Sequence, residues 1–203
     1  MSASLVPAIL GLVGTVGYLV VFGALHIVPS GYHPIHNAVS DYGIGRYAML
    51  FRTGLWLSSA GVLLLAVALA LKPGVPPLSN GDLVYLFLVP PLRVAMSLFP
   101  TDLEGRPLTR KGALHYLFAV ASFAFTYAAI SGMTSPLEDV SPWGSAHGLL
   151  SVLRWIVLIS LILLVVTLMP RLRRVFGLFE RLFLVSTNAW FVTVGVCLAI
   201  ASA

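Results

Sequence analysis

The sequence predicts an all-α integral membrane bundle of six transmembrane helices, forming a single domain over residues 1–203. Three observations carry this. Hydrophobic residues make up 59% of the 203 positions and charged residues only 9%, whereas a soluble domain carries about 25% charged residues. The apolar residues gather into stretches of about 20, the length that crosses a bilayer. The polar segments between them are short, so no soluble domain fits. The spans fall at roughly 5–28, 49–71, 83–100, 113–132, 147–169 and 182–202.

Each span has its own signature. The first carries Gly11, Gly14, Thr15 and Gly17, small residues that let a neighbouring helix approach closely. It has no basic residue before it and no small-residue cleavage site, so its flanks are not those of a signal peptide. Gly54 and Ser58 give the second span the same packing property. The third holds Pro90 and Pro91 followed by Arg93. Proline removes a backbone donor and clashes with the preceding turn, so a kink is expected there. Arg93 needs a carboxylate, and Asp41 and Asp102 are the expected partners. In the fourth span Ser122 and Thr126 continue the face of His115 at i+7 and i+11. The fifth places His147, Ser151 and Arg154 on one face. Arg154 must find Glu138, Asp139, a carbonyl or an anionic ligand. Segment 170–181 begins with Pro170 and spaces Leu172, Val175, Phe176 and Phe179 helically. It reads as a short interfacial helix whose arginines need only lipid phosphates. With the sixth span beginning at 182, no acid lies within any span. Segments 73–82 and 133–143, rich in Pro, Gly and Ser, read as turns.

Charge asymmetry sets the expected orientation. Arg46, Arg52, Arg106, Arg110, Lys111, Arg171, Arg173, Arg174 and Arg181 lie in or beside the first, third and fifth connections. Only Lys72 stands at the other face. Basic connections stay cytoplasmic, so a cell-membrane protein with both termini outside is expected. The net charge of +5 is explained by anionic lipid and needs no nucleic acid. The lone cysteine, Cys197, lies in the last span and excludes a disulfide framework.

The first connection concentrates the chemistry. It runs from His26 through His33, His36, Ser40, Asp41, Tyr42, Gly43 and Gly45 to Arg46. Ionisable groups gathered at a membrane surface are candidates for function. In the predicted topology His26, His33, His36, Asp41, Asp102 and His115 all fall on the cytoplasmic side. Three chemistries fit. Histidine and carboxylate ligands suit a hydrolytic zinc site, although His33-x2-His36-x4-Asp41 is no recognised signature. Ser40 could act as a nucleophile activated by His115 and oriented by an aspartate. Alternatively, Arg93 or Arg46 could hold a phosphate. A b-type haem would need axial histidines on facing helices, and the second pair expected across the membrane is missing. Each residue also has a local role open to it: Ser40 or Asp41 as a turn cap, with Gly43 and Gly45 at positive φ. Asp102 could likewise cap a turn or pair with Arg106.

The run Asn37-Ala-Val-Ser40-Asp41-Tyr42-Gly43, followed by Arg46, resembles the hallmark of the domain of unknown function 998 family of prokaryotic multi-span membrane proteins. The run Leu98-Phe99-Pro100-Thr101-Asp102-x-x-Gly105, with His115 beyond it, resembles that family's second motif. The likeness covers nearly the whole chain. A more distant similarity joins the Ser-Asp-x-Gly pattern to the Frag/DRAM/Sfk membrane proteins, implicated in lipid and glycolipid handling. By position the resemblance marks Ser40, Asp41, Tyr42, Gly43, Asp102 and His115. It implies architecture and a leaning toward lipid, but no reaction and no cofactor. The resulting expectation is a polar inner-face site for an anionic lipid headgroup or small polar solute. Ser40, Asp41, Asp102 and His115 are its candidate reactive groups, and Arg93, Arg46, Tyr42 and Arg154 its candidate ligand-binding groups. The alternative is a hydrolase or transferase acting on lipid, dependent on a metal or on a His/Asp pair.

Overall fold

The computed structural model describes residues 2–72, 78–103 and 105–203. Six long helices follow one another: α1 Leu5–Ile27, α2 Ala48–Leu71, α3 Asn80–Leu98, α4 Arg110–Glu138, α5 His147–Val166 and α6 Phe176–Ser202. All six are long and apolar enough to cross a membrane. No strand occurs among the described residues. Each helix packs on its sequence neighbours, and α6 returns to α1, so the bundle closes into a ring. Short connections force neighbours to run antiparallel, as in up-and-down bundles.

The α1–α2 seam is the tightest. A Cβ on Gly14 would stand 2.8 Å from the Cα of Gly61, and one on Gly61 would stand 2.6 Å from the Thr15 nitrogen. Backbone therefore meets backbone, the arrangement small residues permit where lipid offers no hydrophobic drive to associate. Gly54 faces Val21 in the same seam. Helix α3 runs through Pro90 and Pro91 without a break.

Two apolar cores form. One, toward the termini, is built on Leu65, Ile130, Leu150, Trp190, Phe191 and Val194. Its buried donors are satisfied: Trp190 Nε1 donates to Thr134 Oγ1 at 3.1 Å, and Trp143 Nε1 to the Val194 carbonyl at 3.3 Å. The second, toward the first connection, unites Leu25, Val39, Tyr42, Phe51, Leu55 and Met96. The termini share one face. Ser4 and Ser202 hydroxyls meet at 2.8 Å, and the Lys72 ammonium donates to the Ala201 carbonyl.

Several boundaries differ from the sequence reading. Residues 73–77 lie outside the described residues. The rest of that predicted turn is shorter than expected, because Ser79 accepts from the Asp82 amide at 3.1 Å and starts α3 at Asn80. Helix α4 absorbs 133–138 as well, with Pro136 inside its last turn. The largest correction is at α6. No separate interfacial helix exists; a turn at Arg173–Val175 leads straight into α6 at Phe176. Glu180 and Arg181 are consequently buried within a spanning helix, at 6% and 8% exposure. An acid does lie within a span.

Candidate functional site

The start of α6 holds the first connection in place. The Leu178 amide donates to the Ile35 carbonyl at 3.1 Å, and His36 Nδ1 bonds the Arg174 carbonyl. Glu180 Oε2 accepts from the Val39 amide at 2.6 Å. Arg181 donates through Nη1 to the Asn37 carbonyl at 2.7 Å and through Nε to His26 Nε2 at 2.7 Å. His26 is fixed for this role, since its Nδ1 bonds the Phe22 carbonyl at 2.7 Å. Gly177 leaves the room: a Cβ there would strike the Asn37 carbonyl. The loop is thus a lid over the helix ends, fastened through its own backbone.

Within the lid, Val39–Gly43 forms a 3-10 turn. Its period of three puts Val39 and Tyr42 on one side, and both enter the second core. Tyr42 is 2% exposed, with the Tyr32 ring edge-on at 5.3 Å. Burial raises the Tyr32 phenol pKa, and the Asp41 carboxylate adds to the effect. Asp41 Oδ2 accepts from the Ala38 amide at 3.1 Å and from Asn37 Nδ2 at 3.4 Å, so it steadies its own turn. Gly45 takes positive φ, at 76°. Gly43 does not; it is small because the Phe51 ring would lie 3.0 Å from its Cβ.

The second motif is a clasp between α3 and α4. Asp102 accepts from the Thr109 amide at 2.7 Å and from its hydroxyl at 3.1 Å. Thr109 in turn caps α4 by accepting from the Gly112 amide at 3.1 Å. Gly112 is required because a Cβ would collide with the Asp102 carboxylate. His115 Nδ1 bonds the Phe99 carbonyl at 2.7 Å. With Nδ1 donating, Nε2 is the acceptor nitrogen of the neutral ring.

These elements enclose a cavity of about 640 Å³. Its polar end presents Ser40, Asp41, Asp102, His115, Glu180 and, at the rim, Arg106 and Arg173. Its other walls are apolar, built from Val120 and Ala124 of α4 and Leu161, Leu164 and Val165 of α5, with Leu168 just beyond. Val120, Val165 and Leu168 are 64%, 59% and 56% exposed, so the cavity reaches the lateral surface between α4 and α5. Those helices meet least among the neighbouring pairs.

The four candidate reactive residues therefore share one cavity. The candidate ligand-binding residues do not join them. Tyr42 is spent on core packing. Arg46 is exposed, with its guanidinium 5.5 Å from the Tyr47 ring. Arg154 lies toward the opposite face, 5.4 Å from the Trp155 ring. Glu138, one of its expected partners, accepts from Ser151 at 2.6 Å. Arg93 is buried at 5% exposure but pairs with neither aspartate; it donates to Ser58 Oγ on α2. Its position within α3 points it among the helices, while Asp102 is occupied by Thr109 beyond the helix end. His33 and His36 stack on each other at 4.4 Å, and His36, though exposed, lines the same cavity while His33 does not. Among the described residues no group of three His, Cys, Asp or Glu side chains is placed to hold a metal. Glu180, Arg106 and Arg173 line the cavity and were not among the candidates the sequence singled out. For Glu180 the available signal was a single acid inside an apolar helical pattern continuing from Phe176 and Phe179.

No curated protein and no solved structure gives a match to this chain. A family profile, described as protein of unknown function (DUF998), matches residues 12–197. That match covers both motifs and reaches into all six helices, and the chain belongs to the DUF998 family.

Proposed function

We propose that the protein binds an anionic membrane lipid, holding the headgroup at the basic face while an acyl chain lies along α4 and α5. The single observation that supports this is the division of the cavity. One end offers Arg106 and Arg173 with His36, His115 and Ser40, beside the carboxyl groups of Asp41, Asp102 and Glu180; the rest offers aliphatic side chains and opens sideways. A small polar solute would use only the first half. Pockets of this kind fix a ligand through a few convergent polar groups on apolar walls. Arg106 and Arg173 would supply charge-assisted donors for a phosphate, and the basic bias of this face supports an inner-leaflet position.

Native mass spectrometry of protein released from mixed phosphatidylglycerol, phosphatidylethanolamine and phosphatidylcholine micelles tests the reading. Retention of one anionic lipid is expected, with retention falling about tenfold in Arg106→Ala/Arg173→Ala, a loss of about 1.4 kcal/mol. Equal retention of all three lipids, or no effect of the double variant, overturns it.

The second reading is a hydrolase or transferase acting on lipid. It draws on the same convergence of Ser40, Asp41 and His115. A general base contributes about 10²–10⁴-fold to rate, so His115→Ala must abolish most turnover of bound lipid if this reading holds. Asp102 counts against it, because both carboxylate oxygens already serve Thr109.

A further inference from the structure

A second, smaller chamber lies deeper, between the two apolar cores. Tyr18, Ser58, Arg93, Ser122, Glu180 and Asn188 contribute its polar lining. These residues come from α1, α2, α3, α4 and α6, so the chamber sits on the bundle axis. Ser122 and Asn188 stand about 18 Å along their helices from the ends nearest the lid, at 1.5 Å per residue. In a hydrocarbon layer about 30 Å thick this is near its middle.

The polar groups here satisfy one another only in part. Ser122 Oγ and Asn188 Oδ1 are buried with no hydrogen-bond partner, and the residues are 0% and 1% exposed. Asn188 uses only its Nδ2, which donates to the Leu184 carbonyl at 2.7 Å. Arg93 gives one N–H to Ser58, although a guanidinium carries five. Glu180 commits Oε2 to the Val39 amide. A buried polar atom without a partner is costly, and a cation at this depth is costlier still.

We propose that this chamber is an internal water site bridging Arg93, Ser122, Asn188 and Glu180. The chemistry selects the ligand. Asn188 Oδ1 needs a donor and the Glu180 carboxylate only accepts, whereas Arg93 offers only donors. A simple anion would serve Arg93 and be repelled by the two acceptors. A group that both donates and accepts serves all of them. Size then decides, since the chamber has a volume of about 30 Å³. That holds one or two waters, for which about 10–15 Å³ each is needed. It is too small for a phosphate with its substituent.

The site also has a route. Ser40, Met96, Phe123 and Glu180 line both this chamber and the larger cavity. Glu180 and Ser40 are the polar members of that shared wall. Water reaching the larger cavity from the basic face therefore enters the mid-membrane chamber past Glu180 and Ser40, and the apolar core toward the termini closes it beyond. This makes an aqueous half-path ending at Arg93. It is independent of whether the larger cavity holds lipid.

Magic-angle-spinning NMR on arginine-labelled protein in phosphatidylglycerol–phosphatidylethanolamine vesicles tests this. Magnetisation is transferred from water to guanidinium nitrogens, with Arg93 assigned by its disappearance in Arg93→Lys and exposed Arg46 as the hydrated reference. Clear transfer to Arg93 is expected, reduced several-fold in Ser122→Val/Asn188→Leu, which fills the chamber. Absence of transfer to Arg93 in the wild type while Arg46 responds overturns the proposal without any variant. Transfer unaltered in a folded filling variant overturns it as well.

Discussion

Gly177 shows how much depends on single positions near the lid. The backbone of α6 passes so close to the first connection that a Cβ at 177 would meet the Asn37 carbonyl, with Arg181 Nη1 at 2.7 Å and the Pro34 carbonyl at 2.9 Å. Two of these are backbone atoms and cannot step aside cheaply. Gly177→Ala should destabilise the protein by about 1–3 kcal/mol, the usual cost of overpacking. Gly23 is the control, since a Cβ there meets nothing within 4 Å. Gly23→Ala should be neutral or stabilising by up to about 1 kcal/mol. Thermal unfolding in detergent measures both, and equal midpoints for the two variants would refute the close packing of lid on α6. At this scale the sequence was informative where a polar residue stood out against apolar surroundings. Ser40, Asp41, Asp102 and His115 were legible for that reason, and all four line the cavity. Tyr42 and Arg46 were not separable from them by motif alone. Nearness in sequence does not set side-chain direction, and in a 3-10 turn adjacent residues point different ways.

Among the elements, the helices themselves were legible because a bilayer demands long apolar runs, and all six predicted spans correspond to helices. Their ends were less so. Ser79 and Thr109 begin α3 and α4 through side-chain caps that add polar residues to each helix. Helix α6 was cut short in the sequence reading because Glu180 and Arg181 interrupt its hydropathy. Hydropathy records that a residue is charged, not that the lid's backbone satisfies it. The α1–α2 seam gives the sharpest test at this scale. Gly61→Ala places a Cβ 2.6 Å from the Thr15 nitrogen and 2.9 Å from the Gly14 carbonyl carbon. The helices must separate, with a loss of about 1–3 kcal/mol or more. A midpoint unchanged from wild type in detergent unfolding would contradict a seam of backbone on backbone.

For the whole molecule, the ring of helices puts both termini on one face and the lid, the clasp and the arginine-rich turn on the other. Charge bias then predicts that the lid face is cytoplasmic. In a Cys197→Ala background, Ser2→Cys should react with an impermeant maleimide in intact cells, and Arg110→Cys should react only after lysis. The reverse pattern would move the site to the outer leaflet. The meeting of Asp41, Asp102 and His115 at one end was expected from the sequence, but the apolar wall from α5 and the entry of Glu180 from α6 were not, because they arise only when α4, α5 and α6 close together beneath the lid. The central claim is that a lipid occupies this cavity with its chain between α4 and α5. A phosphatidylglycerol carrying a photoreactive diazirine on its acyl chain, crosslinked in vesicles and mapped by peptide mass spectrometry, tests it directly. Crosslinks concentrated on Val120, Ala124, Leu161 and Val165, and diminished by Arg106→Ala/Arg173→Ala, are the predicted result. Labelling spread evenly over the bundle, with lipid-facing Val13 and Val20 of α1 marked as strongly as α4 and α5, would contradict it.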